Sequence, residues 1–405
     1  MDSTEVHHLD HLEAKGPLAQ GRPLPETGGE GPSHCVGALA RAGWVAGEGP
    51  RAATAASPFV WALKALLRTV HVLVAIALFI LALKLLQAGA QGLAPLLGRL
   101  SIAGPANALG FGWLGAYAMM SGSPVAATSL ALFSGGLLSQ IEAFFMVNGS
   151  RLGASFLILS VGFLRYRRGR GYADAVYIGL IAFIVTGTIY IPAMALGGWA
   201  LGQGWLEGSS SLPVMQISSG LETLYGPAVA AAKEHLPRAA LFLLGAGLLW
   251  GSFHLFDAAL PQIEAGKGPW RRVGRLLRNR YAMFALGLLV TALTLSVAVS
   301  VTLLIPLSLK GYLGRRQVVP YIMGANISTF VDTFVASLLL APGAPAIVLA
   351  VALSVSVVTG LVLVLLYRPY QRLVVALAHG ATRSSGALAL SLLILFLIPL
   401  ALLLL

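Results

Sequence analysis

Residues 320–342 read PYIMGANISTFVDTFVASLLLAP, an apolar run of helical length that carries Asn326, Thr329, Asp332 and Thr333. Lipid alone tolerates none of these readily: an ionisable side chain such as Asp332 costs roughly 2.5 to 3.5 kcal/mol at the centre of a membrane helix. A partner, an ion or a polar cavity must offset that cost. The run also has a counterpart upstream. Ser296 precedes Gly324 by 28 positions, and Ser121 precedes Gly149 by the same interval. The chain therefore reads as a duplicated membrane unit built around this segment.

Composition agrees. Of 405 residues 57 % are hydrophobic and only 10 % charged, with a mean hydropathy of +0.82, far above a globular domain. A single cysteine, Cys35, excludes an internal disulfide framework and a zinc-type cluster. The net charge of +12 is placed in loops beside apolar runs, the pattern of cytoplasmic loops rather than of a nucleic-acid binder.

Working outward, residues 1–58 are rich in glycine, proline and acidic residues without an apolar period and read as a disordered cytoplasmic tail. His7, His8, Asp10 and His11 there could hold a metal ion or be an incidental polar cluster. Apolar spans of membrane length are expected near 62–86, 142–164, 173–200, 239–260, 318–341, 345–367 and 386–405. Two further apolar stretches, 105–138 and 281–314, are interrupted by small and polar residues, SGSPVAATS in one and LSVAVSV followed by Pro306 in the other. They read as re-entrant helical hairpins, because broken backbone at membrane depth is tolerated where it is buried in protein or lines a cavity.

Charge tests this choice. With the N-terminus inside and both hairpins re-entrant, the basic loops at 165–170, 267–280, 310–316 and 368–372 all fall on the cytoplasmic face. The first hairpin then opens outward and the second inward. The expected fold is an all-α polytopic membrane protein of two inverted-topology repeats, 59–200 and 238–370. An extracytoplasmic loop, 201–237, joins them, with Trp199, Trp205 and Tyr225 as aromatic anchors, and a C-terminal region, 371–405, supplies a last transmembrane helix. A constant offset of 175 matches Gly112 with Gly287, Ser121 with Ser296, Gly136 with Gly311, Leu138 with Leu313 and Gly149 with Gly324, and Thr186–Gly187 resembles Thr359–Gly360 after a slip of two.

On these motifs the chain resembles the sodium-phosphate cotransporter family of type II from about residue 66 to residue 370. That family carries, once per repeat, a glutamine followed by serines 29 residues before a Gly-Ala-Asn-Ile-Gly-Thr motif. The second motif stands here as Gly324-Ala325-Asn326-Ile327-Ser328-Thr329, with Pro306, Gly311 and Pro320 at the family's spacing; the first survives as Gly149-Ser150-Arg151-Leu152-Gly153-Ala154. The glutamine positions are Met120 and Leu295, and the serine runs have shrunk to Ser121-Gly122-Ser123 and Ser296-Val297-Ala298. The resemblance implies that these positions would hold sodium and phosphate, and the lost amides remove oxygen ligands. Charge replaces them: Arg151 stands at the first motif's asparagine and Asp332 at a threonine of the second.

The expected function is secondary active transport of a small anion, phosphate or another, by alternating access with sodium or proton coupling. The alternative is a non-transporting scaffold or regulatory protein that keeps the fold. The expected substrate-binding residues are Ser121, Ser123, Arg151, Ser296, Ser300, Asn326, Ser328 and Thr329; the expected cation-coupling residues are Asp332, Thr333 and Asn326. Arg151 presents a planar fork suited to an anion's oxygens, or snorkels, or pairs with Glu142; Asp332 binds the coupling cation or pairs with Arg151. No cofactor beyond bound sodium and no nucleic-acid partner is expected, and a homodimer fits the reading. With no nucleophile and base pair, glycine-rich phosphate loop or HExxH helix, no enzyme is expected. The expected setting is a bacterial-type inner (plasma) membrane, with the lipid bilayer as partner. The run KGPWRRVGRLLRNR from Lys267 fits an amphipathic helix on anionic lipid or an ordinary basic loop.

Overall fold

The computed structural model describes residues 58–95, 104–167, 173–206, 214–259, 279–302, 304 and 314–404. The tail with its histidines and Cys35, the basic run from Lys267 to Arg278, and residues 305–313 with Pro306 and Gly311 lie outside the described residues. Two compact units divide the chain, Met1–Val70 and His71–Leu405. Of the first, only the helical residues 58–70 are described; everything below concerns the second.

Every described element is helical: α1 (Pro58–Gly89), α2 (Pro105–Met119), α3 (Gly122–Ser134), α4 (Gln140–Arg167), α5 (Ala173–Gly202), α6 (Val214–His235), α7 (Arg238–Ala259), α8 (Arg280–Thr294), α9 (Val297–Thr302), α10 (Arg315–Ser328), α11 (Val331–Leu338), α12 (Ala344–Val364), α13 (Tyr367–Thr382) and α14 (Ser385–Leu404). Among the described residues, six helical stretches are long and apolar enough to cross a membrane: 66–93, 176–202, 238–256, 316–338, 344–364 and 386–404. These match six expected spans. The seventh, near 142–164, lies within α4, whose 28 residues are ample for a ~30 Å hydrocarbon core.

Two elements were not expected. The stretch 201–237, read as a loop, contains α6, and Lys84 on α1 pairs with its Glu222 at 3.1 Å. Beyond α12 the chain turns into α13, which buries Tyr367, Tyr370, Val374 and Ala378 along one face. That 3-4-4 spacing makes an amphipathic helix rather than a buried span.

The packing repeats itself. A Cβ added to Gly112 on α2 would lie 2.1 Å from the Met146 carbonyl oxygen on α4; one on Gly287 of α8 would lie 2.0 Å from that of Tyr321 on α10. Reciprocally, a Cβ on Gly149 would meet the Leu109 carbonyl at 2.1 Å, and one on Gly324 the Phe284 carbonyl at 2.1 Å. Every second-half residue in these contacts carries a number 175 higher than its first-half counterpart. The matched glycines are thus the points where two helix backbones touch, and only hydrogen fits between them.

Two of the prolines inside the helices are compensated from outside. Pro399 of α14 has no N–H for the carbonyl of Leu395, and Tyr117 of α2 donates its hydroxyl to that oxygen at 3.1 Å. Pro320 of α10 likewise frees the carbonyl of Arg316, which accepts from Gln371 Nε2 of α13 at 2.8 Å.

Candidate functional site

Both interrupted stretches break in the same way. Helix α2 stops at Met119, Met120 turns left-handed with φ 52°, and α3 starts after Ser121; α8 stops at Thr294, Leu295 turns left-handed with φ 51°, and α9 starts after Ser296. A non-glycine residue with positive φ brings its Cβ against the following carbonyl, so each turn is strained by roughly 1 to 2 kcal/mol. These are also the two positions at which the resemblance expects glutamine.

The two breaks meet at one cavity of about 180 Å³, lined from one side by Met120, Ser121 and Ser123 and from the other by Leu295, Ser296 and Val297. Arg151 of α4 and Asn326 of α10 line it as well, again 175 positions apart. Its volume leaves room for several waters or a small oxyanion. The N-terminus of α3 borders it without a side-chain cap, which leaves backbone N–H groups and the positive end of the helix dipole beside the space.

The two equivalent positions differ in what they bind. Asn326 makes a neutral network: its Nδ2 donates to Thr186 Oγ1 at 3.1 Å, Thr186 donates to the Ala182 carbonyl at 2.8 Å, and Tyr190 donates to the Asn326 backbone oxygen at 3.2 Å. Arg151, only 5 % exposed, is held by charge and oxygen. Its Nη1 donates to Ser123 Oγ at 3.2 Å and Thr329 Oγ1 at 3.1 Å, and its Nη2 donates to Thr333 Oγ1 and lies 3.7 Å from Asp332 Oδ1. The ring of Phe330 stacks on the guanidinium at 5.0 Å.

Asp332, 7 % exposed, accepts from the Thr333 backbone and hydroxyl on Oδ1. Its Oδ2 and Arg151 Nε are buried without a hydrogen-bond partner. The second-half span breaks where it meets the arginine, at Thr329–Phe330 between α10 and α11. Three of Arg151's contacts, Thr329, Asp332 and Thr333, flank that break.

Of the expected residues, Ser121, Ser123, Arg151, Ser296, Asn326 and Thr329 line the cavity. Thr333 and Asp332 reach it through Arg151. Ser300 and Ser328 are not among the lining. Ser300 is buried, accepting from Thr291 Oγ1 at 2.6 Å and bonded to the Tyr321 hydroxyl at 2.8 Å, and Ser328 turns back on its own helix toward the Gly324 and Ala325 carbonyls. Glu142 is not the partner of Arg151: it accepts from Gly104 N at 3.0 Å and from Ser139 N and Oγ at 2.8 Å.

Sequence reasoning missed the third wall. Trp250, Phe253 and His254 of α7 line the cavity, with the His254 ring edge-on to Trp250 at 4.3 Å. Tyr190 of α5 also lines it. A histidine inside an otherwise apolar span was the available signal for α7.

Residues 241–381 match the Na+/Pi-cotransporter family model, described as Na+/Pi-cotransporter. No curated protein and no solved structure matches the chain.

Proposed function

We propose that this chain is a secondary transporter moving a small anion, phosphate or a relative, with sodium or proton coupling, a reading supported by the match of residues 241–381 to the Na+/Pi-cotransporter family model. In this reading the two halves lie in opposite orientations in the bilayer, the interrupted stretches are re-entrant hairpins entering from opposite faces, and alternating access exposes the cavity between them to each side in turn. One observation carries it: two helix interruptions 175 residues apart converge on a single cavity whose mostly apolar wall carries Arg151 and Asn326.

The geometry also suggests how an anion and a cation would be coupled. Arg151 spends both Nη groups on the second half, Ser123 aside, and keeps only Nε free. An incoming anion would take the guanidinium from Asp332 and Thr333. The displaced carboxylate, still buried, would then need a proton or a hard cation, because an isolated buried charge is expensive. Each anion held by Arg151 would thus recruit one positive charge to Asp332, with the Thr329, Thr333 and Asn326 oxygens nearby for sodium.

A second reading, a non-transporting scaffold, is favoured by the engagement of both Nη groups of Arg151. One experiment separates the two. The purified chain in liposomes is given labelled phosphate, sulfate and small carboxylates under sodium or proton gradients. Gradient-driven uptake is expected for at least one anion; no uptake of any, in protein shown to be folded, removes the transporter reading. Asp332→Asn is expected to abolish cation dependence, and unchanged dependence would leave Asp332 structural.

A further inference from the structure

A second cavity, of about 670 Å³, shares no lining residue with the first. It lies where the start of α8, the start of α10 and the start of α13 come together, and three arginines, Arg280, Arg316 and Arg368, line it. No aspartate or glutamate is among its described lining residues. Arg280 and Arg368 have no carboxylate at ion-pair distance among the described residues.

The cavity is built rather than incidental. Asn279 caps α8 by accepting from Tyr281 N at 2.9 Å, and Gln317 caps α10 by accepting from Gly314 N at 2.8 Å. Gln371 is fixed by donating to the Arg316 carbonyl at 2.8 Å, the oxygen freed by Pro320, and to the Tyr367 hydroxyl at 3.0 Å. The Arg280 guanidinium lies 4.7 Å from the centroid of the Tyr281 ring and 5.2 Å from that of Tyr367, and its Nη2 donates to the Tyr281 hydroxyl at 2.7 Å. Contacts of this kind orient a guanidinium and leave its other N–H groups for an acceptor.

Arginines at helix N-termini are unfavourably placed against the helix dipole unless an anion accompanies them. Arg280 and Arg368 alone put two positive charges on one space with no carboxylate at ion-pair distance among the described residues. The guanidinium fork matches phosphate oxygens, and Arg280, Arg316 and Arg368 belong to basic stretches of sequence that the positive-inside pattern assigns to the cytoplasmic face, where anionic lipid is concentrated.

We propose that this cavity, bounded by Arg280, Arg316 and Arg368, is a second anion site that binds a phosphate group, either on an anionic lipid headgroup or as a free ion. The site is independent of the transport reading and is tested by binding alone.

The full chain in detergent is examined by native mass spectrometry and thermal unfolding, with phosphatidylglycerol, phosphatidylcholine, inorganic phosphate or glycerol phosphate added in separate arms. Phosphatidylglycerol is expected to be retained over phosphatidylcholine and to raise the unfolding temperature. The Arg280→Gln/Arg368→Gln pair is expected to weaken retention about tenfold, the loss of hydrogen bonds to a charged group, while Arg383→Gln leaves it unchanged. Stabilisation by inorganic phosphate or glycerol phosphate without anionic lipid that is lost in the paired variant would assign the site to a free anion, and a response to lipid alone would assign it to a headgroup. Equal retention of both lipids with no phosphate response, or a paired variant equal to the parent in every arm, would overturn the site. Should the paired variant not fold, Arg368→Lys, which keeps the charge and loses the fork, is expected to weaken retention several-fold, and unaltered retention overturns the site equally.

Discussion

The two halves of the membrane unit share the backbone contacts at their helix crossings and differ in chemistry at the cavity. At the points of helix contact they agree to a tenth of an ångström, Gly112 with Gly287 and Gly149 with Gly324. At the cavity they part: Asn326 sits in a network of neutral hydrogen bonds, whereas Arg151 sits beside a carboxylate and under an aromatic ring. Backbone contact at a helix crossing fixes which residue fits there, because it leaves no freedom. The wall of a cavity imposes no such limit on the side chain.

The sharpest way to break that comparison is to truncate the two equivalent residues. Arg151→Ala leaves Asp332 buried without its counter-charge and is expected to cost about 3 to 5 kcal/mol. Asn326→Ala, which removes neutral hydrogen bonds, is expected to cost about 1 to 3 kcal/mol. Thermal or denaturant unfolding of the detergent-solubilised chain compares them; equal losses would mean that the Arg151–Asp332 pair is not a buried ion pair in the working protein.

The agreement between the halves is tested by Gly112→Ala against Gly287→Ala and by Gly149→Ala against Gly324→Ala. Each forces two backbones apart, at about 1 to 3 kcal/mol for an overpacked contact. The members of a pair are expected to match within about 0.5 kcal/mol. A large cost in one half and none in the other would show that the shared offset is not shared packing.

The smallest expected difference lies at Thr186 and Thr359, the pair that the sequence aligned after a slip of two. Thr186 relays between Asn326 and the Ala182 carbonyl, whereas Thr359 Oγ1 is buried without a hydrogen-bond partner. Thr186→Val is expected to lose about 1 kcal/mol, and Thr359→Val to be neutral or slightly stabilising, because removing an unsatisfied buried hydroxyl removes its desolvation penalty. Equal losses would contradict the asymmetry around Arg151 and Asn326.

Much of this was legible in the chain. Helix length and apolar composition gave the spans, and glycine and serine identities at one offset gave the repeated contact, because glycine at a helix crossing leaves a mark that apolar residues do not. The meeting of Arg151 with Asp332 was only one of two readings. Sequence separation says nothing of whether two helices 181 positions apart in numbering touch, and the structure brings the charges to 3.7 Å. Ser300 was chosen for its place at the expected hairpin tip and Ser328 as a neutral oxygen of the motif, but the 100° turn of a helix per residue directs them to Thr291, Tyr321 and their own backbone. Helix α6 was missed because its polar and apolar residues sum to no apolar run, and the α7 wall because Trp250 and Phe253 read as ordinary span residues.

The left-handed turns at Met120 and Leu295 set which residues those two places admit. β-branched side chains are excluded there by sterics, whereas glycine and asparagine adopt the conformation with little penalty. Asparagine brings a carboxamide. A single substitution at either turn would therefore return an amide to the wall of the cavity without asking the backbone to move, so the path from this apolar rim to a better-ligated one is short and lies open to selection or to design.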